Sequence, residues 1–375
     1  MGALVGALLL VLAPTTVTAL SIGRLANVLL IIVDDLRPEL GCYGASAMRL
    51  PNGSSTTPHI DALAQQGALF ERAFVQQSIC GPSRNSFLSG RYPDKTKSWN
   101  FDNSFRDSAE GKKWTALPEF FRRHGFFTTG AGKAYHPNLP PKFDGNRSWS
   151  EPWDAAGTRA CNCPLSPGVV MPKPGQGQAS CEGLVDNGCM DDDIVDIVTT
   201  KLWAAANGTL GNGSQPFFIV AGLHKPHMPF YAPQKFFDLY PEPAVPVPRL
   251  PPVDSPMEAW HSCLGHAPEA AFSDWGNFTD ISNNSLEWQT PMSEAVTARL
   301  RRGYYAATSY ADANVGKLLA ELEATGQANN TAVVLLGDHG FNLGEGNLVC
   351  SARHALGQQF FVLFIVRLLR RERKA

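Results

Sequence analysis

The sequence has almost no net charge. Its 375 residues include 32 lysines and arginines and 34 aspartates and glutamates, which gives a formal charge of -2 at pH 7. Proteins that bind nucleic acid or anionic lipid electrostatically usually carry a marked excess of basic residues. The balanced charge therefore gives no reason to expect nucleic acid or a lipid surface as the main partner.

Long apolar runs are also lacking. The apolar stretches Ala3–Ala13 and Phe360–Val366 are much shorter than the roughly 20 residues of a membrane-spanning helix. We therefore expect no stable membrane span. Residues 1–20 instead predict a secretory signal peptide, because the first apolar stretch leads to the small residues at 17–19. The basic segment that usually opens such a peptide is missing.

Sequons and cysteines support entry into the secretory pathway. The candidate glycosylation sites are Asn52, Asn146, Asn207, Asn212, Asn277, Asn283 and Asn329. Eight cysteines fit an oxidising compartment. Cys161, Cys163, Cys181 and Cys189 predict one or two disulfides whose pairing stays open. A zinc site is the less favoured alternative, because only the first two come close to ligand spacing.

Continuous apolar, β-branched runs predict buried strands of a parallel sheet at 27–33, 216–221 and 331–336. Helical periodicity predicts helices at 191–206 and 293–325. A further single strand is expected over 68–75, and a surface connection over the proline-rich residues 241–256. The chain is long enough for one large α/β domain or two smaller ones.

Two of these strands end in residues suited to a cation. Asp34 and Asp35 follow the first strand, and Asp338 and His339 follow the last. Adjacent carboxylates repel one another unless positive charge lies between them, and oxygen ligands suit a hard cation. Ligands of open α/β sheets bind beyond the carboxyl ends of the strands. The four residues predict one cation site, with a solvated acidic turn as the alternative for the aspartate pair alone.

The segment Cys80-Gly-Pro-Ser-Arg84 predicts an anion pocket beside that site. Proline is tolerated in the first turn of a helix, so a helix can begin at Cys80, with Arg84 about one turn further on. The positive end of a helix suits an anion such as sulfate or phosphate. A small buried cysteine beside an ordinary helix start is the alternative interpretation.

Two loops supply further candidates. Lys133 and His136 follow a glycine-rich turn at 130–132, where we expect the backbone to approach a ligand closely. His227 lies in a loop rich in proline at the end of the strand predicted at 216–221. A lone lysine or histidine in a loop is more often simply solvated. The functional interpretation depends on finding all of these residues at the ends of elements.

These motifs resemble the sulfatase family, over about Ala26 to Glu345. The segment Cys80–Arg84 is similar to the cysteine form of the family's first signature, and 125–133 is similar to the second, with Phe126 where Tyr or Val is more usual. Three further segments are similar to the branch that acts on iduronate 2-sulfate. They are 222–230, Tyr304–Tyr310 and Asp338–Gly340.

The resemblance implies an alkaline-phosphatase-like α/β fold with a mixed, mostly parallel sheet flanked by helices. It also implies hydrolysis of sulfate esters in a sulfated carbohydrate, above all the 2-sulfate of iduronate-type uronic acids, in a lysosomal or extracellular setting. In the family, a separate generating enzyme oxidises the cysteine equivalent to Cys80 to formylglycine. One hydroxyl of the hydrated aldehyde attacks sulfur, and the second allows sulfate to leave as the aldehyde reforms.

The resemblance further implies roles for the candidate residues. One calcium ion per chain would have the ligands Asp34, Asp35, Cys80 in its modified form, Asp338 and His339. Arg84 would hold the diol and the aspartates in place. Lys133 and His227 would neutralise charge on the sulfuryl group, and His136 would take a proton from the diol.

The resemblance ends near Glu345. The family would continue with a sulfate-binding lysine and a C-terminal subdomain, and residues 346–375 do not match that pattern. We therefore expect a catalytic domain at 26–345, a truncated C-terminal subdomain, and a tail at 346–375 outside the native structure. An amphipathic surface helix at Phe360–Val366 is a weak alternative.

Three other functions stay open from the sequence. The chain could be a sulfatase for a different sulfated sugar, or a truncated and inactive secreted glycoprotein with the same fold. A phosphatase or phosphonate hydrolase is the third alternative. It is disfavoured because the Cys-x-Pro-x-Arg pattern serves formylglycine formation, whereas phosphatases of this fold use serine or threonine with zinc.

Overall fold

The computed structural model of the chain describes residues 27–155, 176–177, 180–184, 190–241, 245–247, 277–278, 294–343, 349–350 and 361–368. The predicted signal peptide at 1–20, most of the predicted connection at 241–256, and the residues Cys161, Cys163, Cys189 and Asn283 lie outside this set. Among the described helices, none is long and apolar enough to cross a membrane.

The three apolar runs form the centre of a six-stranded sheet, as predicted. The strands are β1 (Asn27–Val33), β2 (Ala68–Leu69), β3 (Ala73–Phe74), β4 (Phe127–Gly132), β5 (Gln176–Gly177), β6 (Ser180–Leu184), β7 (Phe217–Leu223), β8 (Phe230–Pro233), β9 (Asn277–Phe278), β10 (Thr331–Gly337), β11 (Asn342–Leu343), β12 (Val349–Cys350), β13 (Phe361–Val362) and β14 (Phe364–Arg367). The main sheet has the order β2-β14-β10-β1-β7-β4. Strands β10, β1, β7 and β4 are parallel, and β14 is antiparallel to β10 and β2.

Helices cover both faces of this sheet. They are α1 (Pro58–Gln66), α2 (Cys80–Ser89), α3 (Pro93–Thr96), α4 (Leu117–Arg123), α5 (Gly145–Ser148), α6 (Met190–Ala206), α7 (Gln234–Phe237) and α8 (Glu294–Ala324). On β1, Leu29 and Ile31 face a core shared with α1, α6 and α8, whereas Leu30 and Ile32 face a core shared with α2 and α4. Burial on both faces explains why the strand reads as a continuous apolar run.

The sheet extends beyond the expected boundary at residue 345. Strand β14 pairs with β10 on one side and with β2 on the other, and Ile365 lies fully buried between Leu335 and Leu69. The expectation of a tail outside the fold, or of a surface helix, does not hold for residues 361–367. The apolar run is a strand because its side chains complete the core of the sheet.

Residues 68–75, which were expected to form a single strand, form two short strands. Strand β2 joins the main sheet through β14, while β3 pairs with β13 in a separate two-stranded ladder. The polar residues between them form a turn that separates the two pairings.

Candidate functional site

The ends of four parallel strands bring the predicted residues together. Val33 is in register with Gly337 on one side and with Leu223 on the other, and Gly132 is in register with Gly222. The chain therefore leaves the sheet at one edge in all four places. The aspartate pair, Lys133, the loop containing His227, and the pair Asp338-His339 follow directly, as predicted for the carboxyl ends of parallel strands.

Helix α2 begins at Cys80, which lies at its first turn as predicted. The thiol Sγ is 3.4 Å from Asp34 Oδ1 and 3.2 Å from His339 Nε2, and the residue is only 5% exposed. Burial, and then the negative charge of Asp34, raise the pKa of the Cys80 thiol. The thiol is therefore protonated at neutral pH, which makes it a poor nucleophile in this form.

Arg84 links two strand ends from one turn further along α2. Its guanidinium donates to Asp34 Oδ1 at 3.1 Å and to Asp338 Oδ2 at 2.9 Å, and all three side chains are fully buried. It also donates to the carbonyl oxygens of Lys133 and Ala134. Arg84 thus fixes α2 against β1, β4 and β10 at the edge where Cys80 lies.

Asp34 is the most heavily neutralised carboxylate of the cluster. Lys133 Nζ donates to Asp34 Oδ2, and Arg84 bonds the other oxygen. Burial alone would raise the pKa of Asp34, but the positive charges of Lys133 and Arg84 outweigh it and hold the pKa well below its usual value. Asp34 is therefore ionised.

Asp35 has an unusual backbone conformation, with φ of 62°. A residue other than glycine held in this left-handed region costs on the order of 1–3 kcal/mol, and such strain is concentrated at functional sites. Its carboxylate Oδ1 is buried and accepts no hydrogen bond of normal geometry from the described residues, although His339 Nδ1 lies 3.1 Å away. Burial, together with repulsion from Asp34 and Asp338, raises the pKa of Asp35 to about 7.

Asp338 holds the two acidic strand ends in register. Its Oδ1 accepts hydrogen bonds from the backbone N–H groups of Asp35 at 3.0 Å and His339 at 2.9 Å, while its Oδ2 accepts from Arg84. Although burial alone would lower it, the pKa of His339 is raised well above its usual value by Asp338 and its other acidic neighbours. Among the described residues, one possible ligand atom from each of Asp34, Asp35, Cys80 and His339 lies within 4.8 Å of the others, which is close enough for one metal ion to contact all four. Asp338 lies directly beside them.

This donor set fits a hard divalent cation. It offers carboxylate oxygens of Asp34 and Asp35, the His339 imidazole and the Cys80 thiol in a buried pocket. The oxygens suit a hard cation, whereas position 80 would do so only once an oxygen replaced its sulfur. Asp35 Oδ1 is one sign, because it is buried and accepts no hydrogen bond of normal geometry from the described residues, with only the His339 ring as an ion-pair neighbour at 3.1 Å. A cation bound there would also relieve the repulsion between Asp34 and Asp35.

The two candidate histidines lie close to Lys133, and both are uncharged. Burial, followed by the positive charge of Lys133, lowers the pKa of His136 and of His227 to about 3. In each ring Nδ1–H donates to a carbonyl oxygen, that of Pro137 at 3.1 Å and that of Met228 at 2.5 Å. Because a carbonyl oxygen can only accept, Nε2 of each neutral ring carries the lone pair.

The glycines before Lys133 have a different role from the one expected. A Cβ atom at Gly130 would collide with the carbonyl oxygen of Val220, and one at Gly132 with that of Gly222. The absence of side chains therefore allows β4 to pack closely against β7, rather than allowing a ligand to approach. This packing places Lys133, whose N–H donates to Gly222 O at 2.8 Å, beside the other strand ends.

Sequence reasoning did not single out Asp191 or the role of Lys225. Asp191 is fully buried at the start of α6, and its carboxylate accepts the backbone N–H groups of His224 at 2.8 Å and Lys225 at 2.9 Å. Lys225 Nζ donates to the carbonyl oxygens of His227 at 3.0 Å and Pro229 at 2.7 Å. The two residues brace the loop that carries His227.

A cavity of about 410 Å³ lies on the side of α2 that carries Ser83 and Phe87, against Leu336 and Val362. Among the described residues its lining includes neither Cys80 nor any of the candidate cation ligands. It adjoins the cluster at the strand ends, because Gly337 in its lining precedes Asp338 and Ser83 in its lining donates to the Asp338 carbonyl oxygen.

Residues 26–368 match the family model described as Sulfatase. Human iduronate 2-sulfatase is 33% identical over 340 residues, which cover 85% of this chain and 55% of the human protein. The mouse iduronate 2-sulfatase is also 33% identical, over 328 residues with the same shares. Choline-sulfatase of Rhizobium meliloti is 25% identical over 338 residues, 86% of this chain and 59% of that protein. The chain spans about half the length of the curated relatives it matches.

Solved structures show the same fold. A 2-O GAG sulfatase superposes with a TM-score of 0.58 at 19% identity, over 92% of this chain and 64% of that chain. The phosphonate monoester hydrolase of Agrobacterium radiobacter gives a TM-score of 0.65 at 16% identity, over 91% and 68% of the two chains. The predicted alkaline-phosphatase-like fold, with a mostly parallel sheet between helices, is confirmed.

Proposed function

Because the chain belongs to the sulfatase family, we propose that it hydrolyses sulfate esters in a sulfated carbohydrate. The observation that carries this proposal is the position of Cys80, at the first turn of α2 and within 3.4 Å of both Asp34 and His339. The favoured substrate is the 2-sulfate of an iduronate-type uronic acid, because human and mouse iduronate 2-sulfatase are 33% identical to this chain.

The nucleophile in this proposal is formylglycine derived from Cys80. The generating enzyme would read the segment Cys80-x-Pro82-x-Arg84 during maturation in the secretory pathway. As a thiol, Cys80 is protonated and poorly nucleophilic, since burial raises its pKa. The hydrated aldehyde would supply an oxygen nucleophile in the same position, which gives this buried cysteine a chemical purpose.

The cofactor in this proposal is one calcium ion. Its protein ligands would be Asp34, Asp35, Asp338, His339 and the oxygen at position 80. When bound, the cation supplies positive charge that polarises a sulfate oxygen and lowers the pKa of the neighbouring hydroxyl. The buried Oδ1 of Asp35, which accepts no hydrogen bond of normal geometry from the described residues, and the mutual repulsion of the acidic groups support this assignment.

The remaining residues bind the anion and move protons. Arg84 orients Asp34 and Asp338, while the ammonium group of Lys133 lies against Asp34 and offers its positive charge to an entering sulfate. We assign the proton-accepting role to His136 because its Nε2 carries a lone pair. Burial, more than the charge of Lys133, lowers its pKa to about 3, so the ligand-free site makes it a weak base. His227 is also neutral, because burial and then the positive charge of Lys133 lower its pKa to about 3.

Export to a lysosomal or extracellular location is part of the proposal. All five sequon asparagines whose burial the structure describes are exposed, so a glycan on them would not disturb the core. They are Asn52, Asn146, Asn207, Asn212 and Asn329. Exposure is what an N-linked glycan requires.

The test is expression of the chain together with the generating enzyme, followed by two measurements. Mass spectrometry of the peptide containing Cys80 should show formylglycine, and an unmodified thiol would contradict the proposed nucleophile. Turnover should occur on a disaccharide with a 2-sulfated uronic acid and be lost in Cys80→Ala. Turnover of glucosamine 6-sulfate alone would reassign the substrate, and formylglycine without any turnover would favour an inactive sulfatase-like glycoprotein.

A further inference from the structure

The left-handed conformation of Asp35 is held from both sides of the residue. On one side, its backbone N–H donates to Asp338 Oδ1 at 3.0 Å. On the other side, its carbonyl oxygen accepts a hydrogen bond from the hydroxyl of Tyr304 at 2.8 Å. The second contact comes from helix α8, which supplies none of the candidate cation ligands.

The Tyr304 hydroxyl closes the turn that follows Asp35. It donates to Asp35 O and accepts from the backbone N–H of Arg37 at 3.0 Å, so a single hydroxyl satisfies two backbone groups two residues apart. The tyrosine is fully buried. Removing the hydroxyl would remove one hydrogen bond from each of these backbone groups and loosen the turn.

The ring of Tyr304 is itself fixed. It packs edge-on against Phe230, with ring centroids 5.6 Å apart, and against Tyr305 at 6.3 Å. Its rotation is restricted by these contacts and by the helix backbone of α8. The hydroxyl is therefore a rigid support for the turn rather than a group that adapts to it.

We propose that Tyr304 is a positioning residue for the cation site, and that it acts by holding Asp35 in the conformation that directs its carboxylate at the cation. The inference rests on the proposed cation site and deepens it. Outer contacts of this kind fix the orientation of metal ligands, and their loss typically lowers metal affinity by about 10–100-fold.

The chain offers a matched control in the next residue. Tyr305 is fully buried on the same helix, and its hydroxyl donates to Glu39 at 3.1 Å and accepts from Arg301. Tyr305→Phe therefore removes one buried hydroxyl from α8 and leaves the backbone contacts of Asp35 in place. A general loss of helix packing would affect both variants alike.

The experiment is calorimetric titration of calcium into the full chain. We expect Tyr304→Phe to weaken calcium binding by about 10–100-fold and Tyr305→Phe to change it by less than about 3-fold. In a background of Asp35→Ala, the effect of Tyr304→Phe should fall below about 2-fold, because the carboxylate it positions is gone. An unchanged affinity in Tyr304→Phe, or an equal loss in the Asp35→Ala background, would overturn the inference.

A second measurement needs no variant, and so it holds even if Tyr304→Phe does not fold. Coupling between two events is reciprocal, so calcium should also stabilise the turn that Tyr304 closes. In the wild-type chain, calcium should slow hydrogen exchange at the backbone N–H of Arg37. Equal exchange with and without bound calcium would contradict the inference. A chain that binds calcium but hydrolyses no sulfate ester refutes the proposed activity alone, whereas a chain that binds no calcium overturns this inference as well.

Discussion

Replacing Asp191 with asparagine should destabilise the loop that carries His227. Asp191 is fully buried and accepts two backbone N–H groups, from His224 at 2.8 Å and Lys225 at 2.9 Å. Hydrogen bonds to a charged group contribute about 1.5–3 kcal/mol each. Asparagine keeps one acceptor oxygen but turns an NH2 group toward the other N–H, so one bond weakens and the other is lost. We expect a loss of about 2–4 kcal/mol in the free energy of unfolding.

The neighbouring residue provides the control for this prediction. Asp192 pairs with Lys317 at 3.0 Å, where the lysine side chain is 51% exposed and the aspartate side chain 12%. An ion pair with one solvent-exposed partner contributes about 0–1 kcal/mol, so Asp192→Asn should lower stability by less than Asp191→Asn. Both variants would be compared with the wild type by urea unfolding at one pH.

The Asp191→Asn variant should also affect the proposed chemistry. If the loop moves, His227 shifts relative to Lys133, and turnover of the sulfated substrate should fall at a temperature where Asp191→Asn remains folded. If Asp191→Asn loses no more stability than Asp192→Asn, the bracing role of Asp191 is wrong. If stability falls but turnover does not, Asp191 supports the fold without positioning His227.

Three further outcomes follow from the structure. Ile365→Asp should lower the free energy of unfolding, measured in urea, by at least about 3 kcal/mol, because it buries a carboxylate inside the sheet. Leu368→Asp, at a 70% exposed position, should change it little, and equal effects would mean that β14 is not part of the sheet in solution. Burial raises the pKa of Asp312 from 3.8 to about 7, so the protonated form favours the fold below pH 4 and this contribution is lost as pH rises through 7. Urea unfolding at several pH values should show wild-type stability falling relative to Asp312→Asn between about pH 4 and 7, where the unfolded carboxyl is ionised and the folded one is still protonated, and parallel profiles would contradict the shift. Excess chelator should lower the melting temperature relative to saturating calcium, since a ligand at about 100 times its Kd stabilises by about 2.7 kcal/mol; no shift on thermal unfolding would count against the cation site.

The strands and the site were predictable for the same reason. Strands β1 and β7 are buried on both faces, and β10 is buried on one face and partly buried on the other, so they appear in the sequence as unbroken apolar runs. Parallel strands end at one edge, and the residue that follows each strand is therefore placed by the topology. Asp34, His227 and Asp338 could be assigned to one site without knowing any side-chain contact.

The parts that were missed depend on contacts between distant residues. Strand β14 is antiparallel and pairs with residues far away in the sequence, and a short apolar run cannot by itself distinguish a strand from a buried helix. Asp191 begins a helix with three consecutive aspartates, a pattern that already suits any helix N-terminus. The left-handed conformation of Asp35 has no sequence signal, because its backbone hydrogen bonds are made with Tyr304 and Asp338, which are far away in the chain.

The contact between Cys80 and His339 joins residues 259 positions apart in the chain. During synthesis at about 5–20 residues per second, the segment containing Cys80 emerges roughly 10–50 s before the strand end that completes its pocket. Over that interval the thiol has neither Asp338 nor His339 beside it, and it remains open to a processing enzyme. The order of the chain thus provides a time window for the proposed oxidation, and the folded cluster closes it.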